Sequence, residues 1–448
     1  YVYAHNGTDW IQEHELYASD WHAGDYFGLM LALSGDTLVV GSMTGKAYVF
    51  QYDGVQWLEQ AVLTRPGLGS AEHFGVGVWL DGDTAVLSAM REGTAGEDSG
   101  AAYVFVRNAG VWSFQQRLAP SDAAEDDLTG FSAIQGDTLL LGARGKDGQR
   151  GAVYVFTRSG TTWTQGQKLT ASDGHIIEGF GSRLDLEGDV AVISAQFGRG
   201  VETRTGAAYV FARSGSSWSE QQKLSACDGA FLDSFGSWVA LSGDALLIGA
   251  DWDEDHGPYS GSAYLFRRRG ASWVQAQKLA PKETSRDNYV GRFALSNDRI
   301  LIGAPGHDAD GAEAGRACVY HVSSSLVSHF NGSGLNVNRL SVGDTLIGQT
   351  WNATLEVAGF HTPGAALLYF SSACSSGYSV LGGYGEGLLG GVKLLGLGPA
   401  PHAGAGSTVP FALAVPADPA LVGLRWVVQG AVSGGTFGLS NAATGIVQ

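Results

Sequence analysis

The fold is decided by one short stretch of sequence, Ser242-Gly243-Asp244-Ala245-Leu246-Leu247-Ile248-Gly249-Ala250. A Gly-Asp turn leads at once into an apolar run that ends in small residues, and this pattern predicts a tight turn followed by a buried β-strand. The turn recurs along the chain, once as Asn-Asp, at intervals of roughly fifty residues. Its aspartates are Asp36, Asp83, Asp137, Asp189, Asp244 and Asp298.

Each repeat continues with an aromatic third strand and a hairpin that carries tryptophan. In the best copy these are the segment 263–266 (Ala-Tyr-Leu-Phe) and Trp273, and the copy opens with Phe235-Gly236. Each repeat therefore provides four short strands. Such a repeat cannot bury both of its faces alone, so neighbours must stack, and stacking around an axis leaves few free edges. The sequence therefore predicts an all-β fold, a β-propeller of four-stranded blades.

The opening Phe-Gly, the Gly303-Ala304-Pro305 triplet after a second strand and the aromatic third strand together resemble FG-GAP repeats. These are the units of integrin α-chain propellers and of many secreted bacterial proteins. The resemblance covers about residues 1–322. In integrin-type repeats an Asp-rich calcium loop joins the first two strands, whereas this chain has a tight turn there, too short for a cation that needs six to eight oxygens. The resemblance implies the propeller but no calcium at these turns.

The number of blades is predicted as six, with seven as the alternative. The chain begins inside a third-strand motif, Tyr1-Val2-Tyr3, and no signal peptide precedes it. We expect a mature or truncated start, with the segment 10–16 supplying the outer strand of the last blade and locking the ring. Residues upstream of Tyr1 would supply a seventh blade.

Composition and charge narrow the classes of partner. The formal net charge is −17, and nearly all of it lies before residue 335. An acidic propeller repels phosphates and anionic membrane surfaces, so we expect no nucleic acid partner. No apolar run of about eighteen residues occurs, so no transmembrane segment is expected. The cysteines, Cys227, Cys318 and Cys374, are odd in number, which favours buried free thiols over a disulfide scaffold.

A second domain is predicted after the propeller. Residues 323–334 are rich in Ser, Gly and Asn and predict a linker. Residues 335–448 alternate apolar stretches with Gly and Pro, which predicts a C-terminal β-sandwich; it resembles a module of secreted repeat proteins from environmental bacteria. Because this segment holds few charges, we expect part of its surface to be covered by the propeller or by another subunit.

Two acidic loops are candidates for a metal site. Asp251, Asp253 and Asp255 alternate along one loop, and Asp308 and Asp310 along the corresponding loop of the next repeat. Alternating carboxylates near Gly can converge on one hard cation, so calcium is the cofactor that the sequence suggests. The alternative is that Asp and Gly simply favour surface loops.

Two other recurring features are interpreted as structural. An acid after Ser or Cys recurs ahead of the first strands, and because a functional site seldom needs every copy, we interpret it as a turn. The tryptophans recur at one blade position, which favours a role as core filler over a sugar-stacking face. The acids are Asp20, Asp122, Asp173 and Asp228. The tryptophans are Trp10, Trp57, Trp112, Trp163, Trp218 and Trp273.

The function predicted from the sequence is binding without catalysis. The eleven histidines do not recur with Ser or Cys and an acid in any local signature. We expect a secreted protein that engages a cell-surface protein or polysaccharide through loops on one propeller rim. The alternative is a structural homo-oligomer or polymer, an extracellular filament or layer, in which Tyr1-Val2-Tyr3 adds to a sheet edge of another copy. An enzyme that uses rim carboxylates on polysaccharides is the third hypothesis.

Overall fold

The protein is all-β in a computed structural model that describes residues 1–6, 9–67, 73–200, 204–255, 257–279, 290–296, 299–305 and 316–321, and beyond them the backbone of eight strands. Two compact units are distinguished. The first comprises Tyr1–Leu224, Leu232–Gly243 and Ile248–Asp251, and the second Ser225–Phe231, Asp244–Leu247 and Trp252–Gln448.

The fold is a six-blade β-propeller whose blades are meandering sheets with strands in chain order. A two-stranded sheet precedes them, formed by β1 (Val2–His5) and β2 (Trp10–His14). Blade one contains β3 (Leu31–Ser34), β4 (Thr37–Gly41), β5 (Lys46–Tyr52) and β6 (Trp57–Thr64). Blade two contains β7 (Phe74–Asp81), β8 (Thr84–Ala89), β9 (Ala101–Asn108) and β10 (Val111–Leu118).

Blade three contains β11 (Thr129–Gln135), β12 (Thr138–Ala143), the short helix α1 (Lys146–Gln149), β13 (Ala152–Ser159) and β14 (Thr162–Leu169). Blade four contains β15 (Leu184–Glu187), β16 (Val190–Ala195), β17 (Ala207–Ser214) and β18 (Ser217–Leu224). Blade five contains β19 (Phe235–Ser242), β20 (Ala245–Ala250), β21 (Ser262–Arg269) and β22 (Ser272–Leu279). Three strands of blade six are described, β23 (Arg292–Ser296), β24 (Arg299–Ala304) and β25 (Arg316–His321).

The C-terminal strands form two sheets. A five-stranded sheet has the order β26 (Ser328–Phe330), β33 (Thr436–Ile446), β32 (Arg425–Gly434), β29 (Gly364–Ser372) and β30 (Leu394–His402). A three-stranded sheet has the order β27 (Arg339–Val342), β28 (Thr350–Glu356) and β31 (Thr408–Ala414). The packing of these sheets into a sandwich stays a prediction.

The predicted pairing of the strand near Trp10 with the last blade is not observed. The segment Trp10–His14 pairs with Val2–His5, in the register that joins Ala4 to Ile11. The sheet of the sixth blade consists of β23, β24 and β25 in the described residues. The physical reason is local. A third-strand motif and a tryptophan strand form a hairpin in blades one to five, and closing a short hairpin costs little chain entropy.

The core is formed between consecutive blades. One buried cluster joins Val155 and Leu169 of blade three to Ile193 and Tyr209 of blade four, and two more clusters join blades one with two and two with three. The second strands are the most deeply buried elements, since every residue of β8, β12 and β20 is buried. This burial explains why these strands read as unbroken apolar runs.

The phenylalanine of the Phe-Gly pair and the tryptophan of the hairpin recur because their side chains pack in the core. Phe180, from a Phe-Gly pair, packs its ring 5.5 Å from that of Tyr209 and 6.0 Å from that of Phe211 on the third strand. The buried tryptophans, including Trp163 and Trp218, belong to the clusters between blades. The predicted role as core filler is therefore confirmed for these buried tryptophans, whereas it is wrong for Trp10, which is 44 % exposed.

In blades two to five, the glycine before the third strand forms a backbone bridge to the next blade. Gly206 has φ +94° and forms a parallel bridge with Phe235, and a Cβ at this glycine would overlap the backbone of Phe235. The same bridge joins Gly100 to Thr129, Gly151 to Phe180 and Gly261 to Val290. Only glycine combines this φ with so close a backbone approach.

Side-chain hydrogen bonds also join the first strands of neighbouring blades. Asp185 on β15 accepts a 2.7 Å hydrogen bond from the N–H of Leu241 on β19, and Glu187 accepts one of 2.6 Å from the N–H of Gly243. Burial raises the pKa of Asp185 to about 6. These bonds fix the register of adjacent inner strands.

Candidate functional site

In blades one to five, a tyrosine hydroxyl and a carboxylate are hydrogen-bonded at the same end of the blade. In a four-stranded meander, the connection that enters the first strand and the loop between second and third strands share one end, which we term the connection end. The opposite turn end holds the Gly-Asp turns and the hairpins between third and fourth strands. The acidic loop with Asp251, Asp253 and Asp255 lies at the connection end of blade five, between β20 and β21.

A tyrosine, a carboxylate and a lysine form a recurring group there. In blade four the hydroxyl of Tyr209 donates to Oδ1 of Asp173 at 2.8 Å, and Lys223 donates to Oδ2 of Asp173 at 2.7 Å. Blade three repeats it, with Tyr154 at 2.6 Å and Lys168 at 3.0 Å from the oxygens of Asp122.

The group ties the entering connection to its own blade. Burial raises the pKa of Tyr209, and the hydrogen bond to Asp173 raises it further. Burial alone would raise the pKa of Asp173, but the hydrogen bonds from Lys223 and Tyr209 outweigh it and lower that pKa. The acids that follow Ser or Cys at Asp20, Asp122 and Asp173 are thus anchors of a turn, as the sequence predicted.

In blade five the group is enlarged around Lys278. The side chain of Asp253 is 2 % exposed and accepts hydrogen bonds from the hydroxyl of Tyr264 at 2.9 Å and from Lys278 Nζ at 2.6 Å. The same Nζ lies 2.6 Å from Asp255 Oδ2 and 3.1 Å from Asp228 Oδ2. Burial disfavours the charged lysine, but the three carboxylates outweigh it and raise its pKa.

The predicted calcium ligands are therefore distributed as follows. The structure brings Asp253 and Asp255 together, with Asp228 as the third carboxylate, and an ammonium group of the chain itself lies among them. Asp251 donates its backbone N–H to Ser237 Oγ at 3.3 Å. Asp308 and Asp310 lie outside the described residues. Within the described residues no group of three His, Cys, Asp or Glu side chains is arranged to hold a metal ion, so calcium stays a prediction.

Blade two contains the same loop with a different acid. The carboxylate of Glu92 accepts from Tyr103 at 2.7 Å and from Arg117 Nε at 2.7 Å, as Asp253 does from Tyr264 and Lys278. In both loops a serine hydroxyl donates to the carbonyl of this acid at 2.9 Å. In both loops the carboxylate therefore has partners from its own blade that hold the loop to the third and fourth strands. Sequence reasoning missed Glu92, although its eleven-residue distance from the tyrosine equals that of Asp253.

The carbonyl at this loop position has one role in four blades. The N–H of the glycine before the third strand donates to it at 2.8 Å in blade two, 2.9 Å in blade three, 3.0 Å in blade four and 2.9 Å in blade five. The residues that provide the carbonyl are Glu92, Lys146, Gly198 and Asp253.

Exposed aromatic side chains also lie at connection ends. Tyr17, Trp21 and Tyr26 are each more than half exposed on the connection that enters blade one. In blade five the rings of Trp252 and Tyr259 form an edge-to-face pair at 6.4 Å. Sequence reasoning missed this feature, because the aromatic residues of the connections follow no repeat pattern.

The described cysteines are free thiols, as expected. Cys227 and Cys318 form no disulfide, and both are partly rather than fully buried. Cys374 lies outside the described residues. No helix in the described residues has the length and hydropathy needed to span a membrane.

Comparison with known protein families identifies the type of repeat. The FG-GAP repeat profile matches residues 10–50, 57–105, 112–156, 163–211 and 218–266, together just over half of the chain. The chain belongs to the FG-GAP repeat family. Each FG-GAP match runs from one tryptophan strand to the third strand of the next blade, so the profile is offset from the blades by one strand. No curated protein matches the chain.

Solved structures with some likeness are distant from this FG-GAP chain. The computationally designed Ika8 protein shares 14 % identity, with a TM-score of 0.40, over 93 % of this chain and 96 % of that protein. Sqt1 of Saccharomyces cerevisiae shares 11 % identity, with a TM-score of 0.39, over 74 % of this chain and 94 % of that protein.

Proposed function

We propose that this FG-GAP chain is an extracellular, non-enzymatic binding protein that holds a polysaccharide or protein at a cell surface. One observation carries the proposal, the exposure of Tyr17, Trp21 and Tyr26 on a single connection. Clustered apolar surface in water is typical of interaction sites. Aromatic rings with polar edges suit the faces of sugars and the anchor positions of protein interfaces.

The bonding of the ionisable groups supports a role without catalysis. Asp173, Asp122 and Asp253 are held by a tyrosine and a lysine of their own blades. Burial raises the pKa of Tyr48, which bonds Asp20, to about 12, far from the range of a general acid at neutral pH. Such mutual bonding supports a structural role for these side chains.

The experiment that tests the proposal is a binding screen with matched variants. Trp21→Ala is expected to weaken at least tenfold any ligand found on a glycan array or in a cell-surface binding assay. Val55→Ser is the control, because Val55 is also strongly exposed in blade one but lies at the turn end. Loss of binding in the Val55 variant alone would overturn the assignment to the connection end.

Self-assembly is the second candidate function. It is favoured by the two-stranded sheet of β1 and β2, where Tyr1, Tyr3, Trp10 and Ile11 are exposed. A small sheet with apolar exposed residues can extend a sheet of another copy. Light scattering over a wide concentration range is expected to show polymers that Ile11→Lys abolishes, and a wild-type monomer throughout would exclude this function.

The remaining features of the proposal concern cell location and the C-terminal segment. We place the protein outside the cell because it resembles secreted bacterial FG-GAP proteins, and we propose that residues 335–448 form a β-sandwich from their two sheets. Because β26 (Ser328–Phe330) pairs with β33, limited proteolysis is expected to cut ahead of Ser328 and to release a fragment with a β-type circular dichroism spectrum. Uniform degradation of everything after residue 322 would exclude the sandwich.

A further inference from the structure

The connections that enter blades three and four each contain an acid with the same backbone bond. In blade three the carboxylate of Asp127 accepts a hydrogen bond from the N–H of Ala124 at 2.7 Å. In blade four the carboxylate of Glu178 accepts one from the N–H of His175 at 2.9 Å, across the same separation of three residues. Glu178 is therefore the counterpart of Asp127.

The loops between the second and third strands contact these acids at equivalent positions. The residue before Lys146 donates its N–H to the carbonyl of Asp127 at 2.9 Å. The residue before Gly198 donates its N–H to the carbonyl of Glu178 at 3.4 Å. Lys146 and Gly198 also share the carbonyl bond to the glycine before the third strand. Gly198 therefore takes the place of Lys146 in blade four.

In blade three the ammonium group of Lys146 is the partner of the buried acid. Its Nζ donates to Oδ2 of Asp127 at 3.0 Å and to the carbonyl oxygen of Asp122, and it lies 3.8 Å from Oδ2 of Asp122. The side chains of Lys146 and Asp127 are only 7 % and 4 % exposed. A buried charge needs such a partner, because its burial alone is costly.

Blade four contains both acids but not this lysine. Asp173 is the counterpart of Asp122, since each bonds the tyrosine of the third strand and the lysine of the fourth strand. Glu178 is 4 % exposed, and its carboxylate has a single hydrogen bond and no ion pair in the described part of the chain. Burial and the bond to Asp173 raise the pKa of Tyr209, and the charge of Glu178 raises it further, so both acids act on one hydroxyl group.

The arginines of the surrounding segments do not replace the lysine. Arg150, Arg199 and Arg204 are exposed. Arg183 stacks on two aromatic rings, whose centroids lie 4.2 Å and 5.0 Å from its guanidinium carbon. None of these side chains forms an ion pair with Glu178 in the residues that the structure describes.

We propose that Asp173 and Glu178 bind the primary ammonium group of an external ligand, at the position that Lys146 Nζ has in blade three. A primary ammonium group has three N–H donors. The carboxylate of Glu178 and the carboxylate and carbonyl of Asp173 correspond to the three acceptors around Lys146. Calcium fits less well, because it takes six to eight oxygens.

The site is open to a ligand on the side of Asp173. The side chain of Asp173 is 48 % exposed, whereas Glu178 is buried at the inner end. A ligand with its ammonium group on an unbranched carbon, as in a lysine side chain, matches this shape. The site does not rest on the proposed binding function, because the exposed aromatic residues of blade one have no part in it.

Thermal unfolding of the full chain tests the site with methylammonium as the probe. Wild-type protein is compared in methylammonium chloride, tetramethylammonium chloride and sodium chloride at equal concentration and neutral pH. Methylammonium is expected to raise Tm by on the order of 1 °C relative to both other salts, because only this ion combines positive charge with N–H donors. Equal Tm values in the methylammonium and tetramethylammonium salts would overturn the proposal.

Variants assign the rise in Tm to blade four. Glu178→Gln retains an oxygen that can accept from the N–H of His175, and it is expected to lose the rise. Asp127→Asn is the matched control. It is expected to have a lower Tm in sodium chloride, because Lys146 loses its partner, but to keep the rise. A rise of wild-type size in Glu178→Gln, or none in Asp127→Asn, would contradict the assignment.

A third variant tests the comparison between the two blades. Lys146→Ala gives blade three the same set of acids without the lysine, so methylammonium is expected to raise its Tm about twice as much as that of the wild type. A rise no larger than that of the wild type would show that the position of Lys146 Nζ does not accept a free ammonium ion, and the proposal would fail.

Nuclear magnetic resonance of the wild type gives a readout that needs no variant. The protein is labelled with ¹⁵N at histidine and alanine and titrated with methylammonium. The amide resonance of His175 is expected to shift, because its N–H donates to Glu178. The amide resonance of Ala124, which donates to Asp127, is expected to stay in place. A His175 resonance that does not move would exclude binding at Glu178.

Discussion

The hydroxyl of Tyr264 donates a 2.9 Å hydrogen bond to Oδ2 of Asp253, eleven residues earlier in the chain. The bond ties the third strand of blade five to the loop that precedes it. Tyr103 and Glu92 make the corresponding bond in blade two, at 2.7 Å and with the same separation. The acid in each of these two loops is therefore bound to a tyrosine of its own blade.

Removing the charge of Asp253 should lower the stability of the folded protein. Asp253→Asn is expected to lower the free energy of unfolding by about 3 kcal/mol, because Lys278 loses its buried partner. Asp255→Asn is the matched control; it contacts the same Nζ, but its side chain is 60 % exposed, so a loss below about 1 kcal/mol is expected. Urea titration measures both, and equal losses would contradict the special role of Asp253.

Calcium binding at blade five should depend on Lys278. In wild-type protein the ammonium group lies among Asp228, Asp253 and Asp255, so calcium added after chelation is expected to leave Tm unchanged. In Lys278→Met the three carboxylates lack a counter-ion, and calcium is expected to raise Tm. A calcium-dependent rise in the wild type would show that the ion displaces the lysine and would support the site predicted from sequence.

The glycine bridges between blades should tolerate no side chain. Gly206→Ala is expected to cost about 4 kcal/mol or more, because the new Cβ overlaps the backbone of Phe235 and the residue has φ +94°. Gly215→Ala is the control; it also has positive φ but open space around it, so only strain of about 1 kcal/mol is expected. Chemical unfolding that ranks the two variants equally would show that the bridges do not hold the blades.

Asp185 should make stability depend on pH. Burial raises its pKa from 3.8 to about 6, so the folded protein binds this proton more tightly than the unfolded chain. The resulting stabilisation is complete below about pH 4 and is lost as the pH rises through about 6. Relative to wild type, Asp185→Asn is expected to gain about 2 kcal/mol between about pH 4 and pH 7.

Asp173→Asn provides a control of opposite sign for this pH dependence. The pKa of Asp173 is lowered in the fold, so its contribution is present above the unfolded pKa and is lost as the pH falls. This variant should therefore lose stability relative to wild type as the pH rises through about 4. Parallel pH profiles for both variants would show that neither carboxylate titrates as described.

The parts of the fold that the sequence predicted are those encoded by local pattern. The Gly-Asp turn, the apolar second strand and the aromatic third strand lie within one repeat, and the structure confirms them. The pairing of Trp10–His14 was predicted wrongly, because its motif suits either a hairpin with Val2–His5 or the edge of another blade, and sequence alone does not rank the two.

The candidate site was less predictable because its contacts join distant residues. Asp253, Asp255 and Glu254 form an acidic run that suggests a cation site, but Lys278 reaches it from a strand 23 residues beyond Asp255.

The carbonyl groups of Glu92, Lys146, Gly198 and Asp253 all accept a hydrogen bond from the glycine before the third strand. This shared bond affects how the sequence of the loop can vary. The shared hydrogen bond uses only the carbonyl, so the frame of the loop does not depend on the side chain at that position. An acid, a base and a glycine all occur there within one molecule. In these four blades, single substitutions at this loop position can therefore change the charge of the connection end while the backbone of the neighbouring strands stays in place.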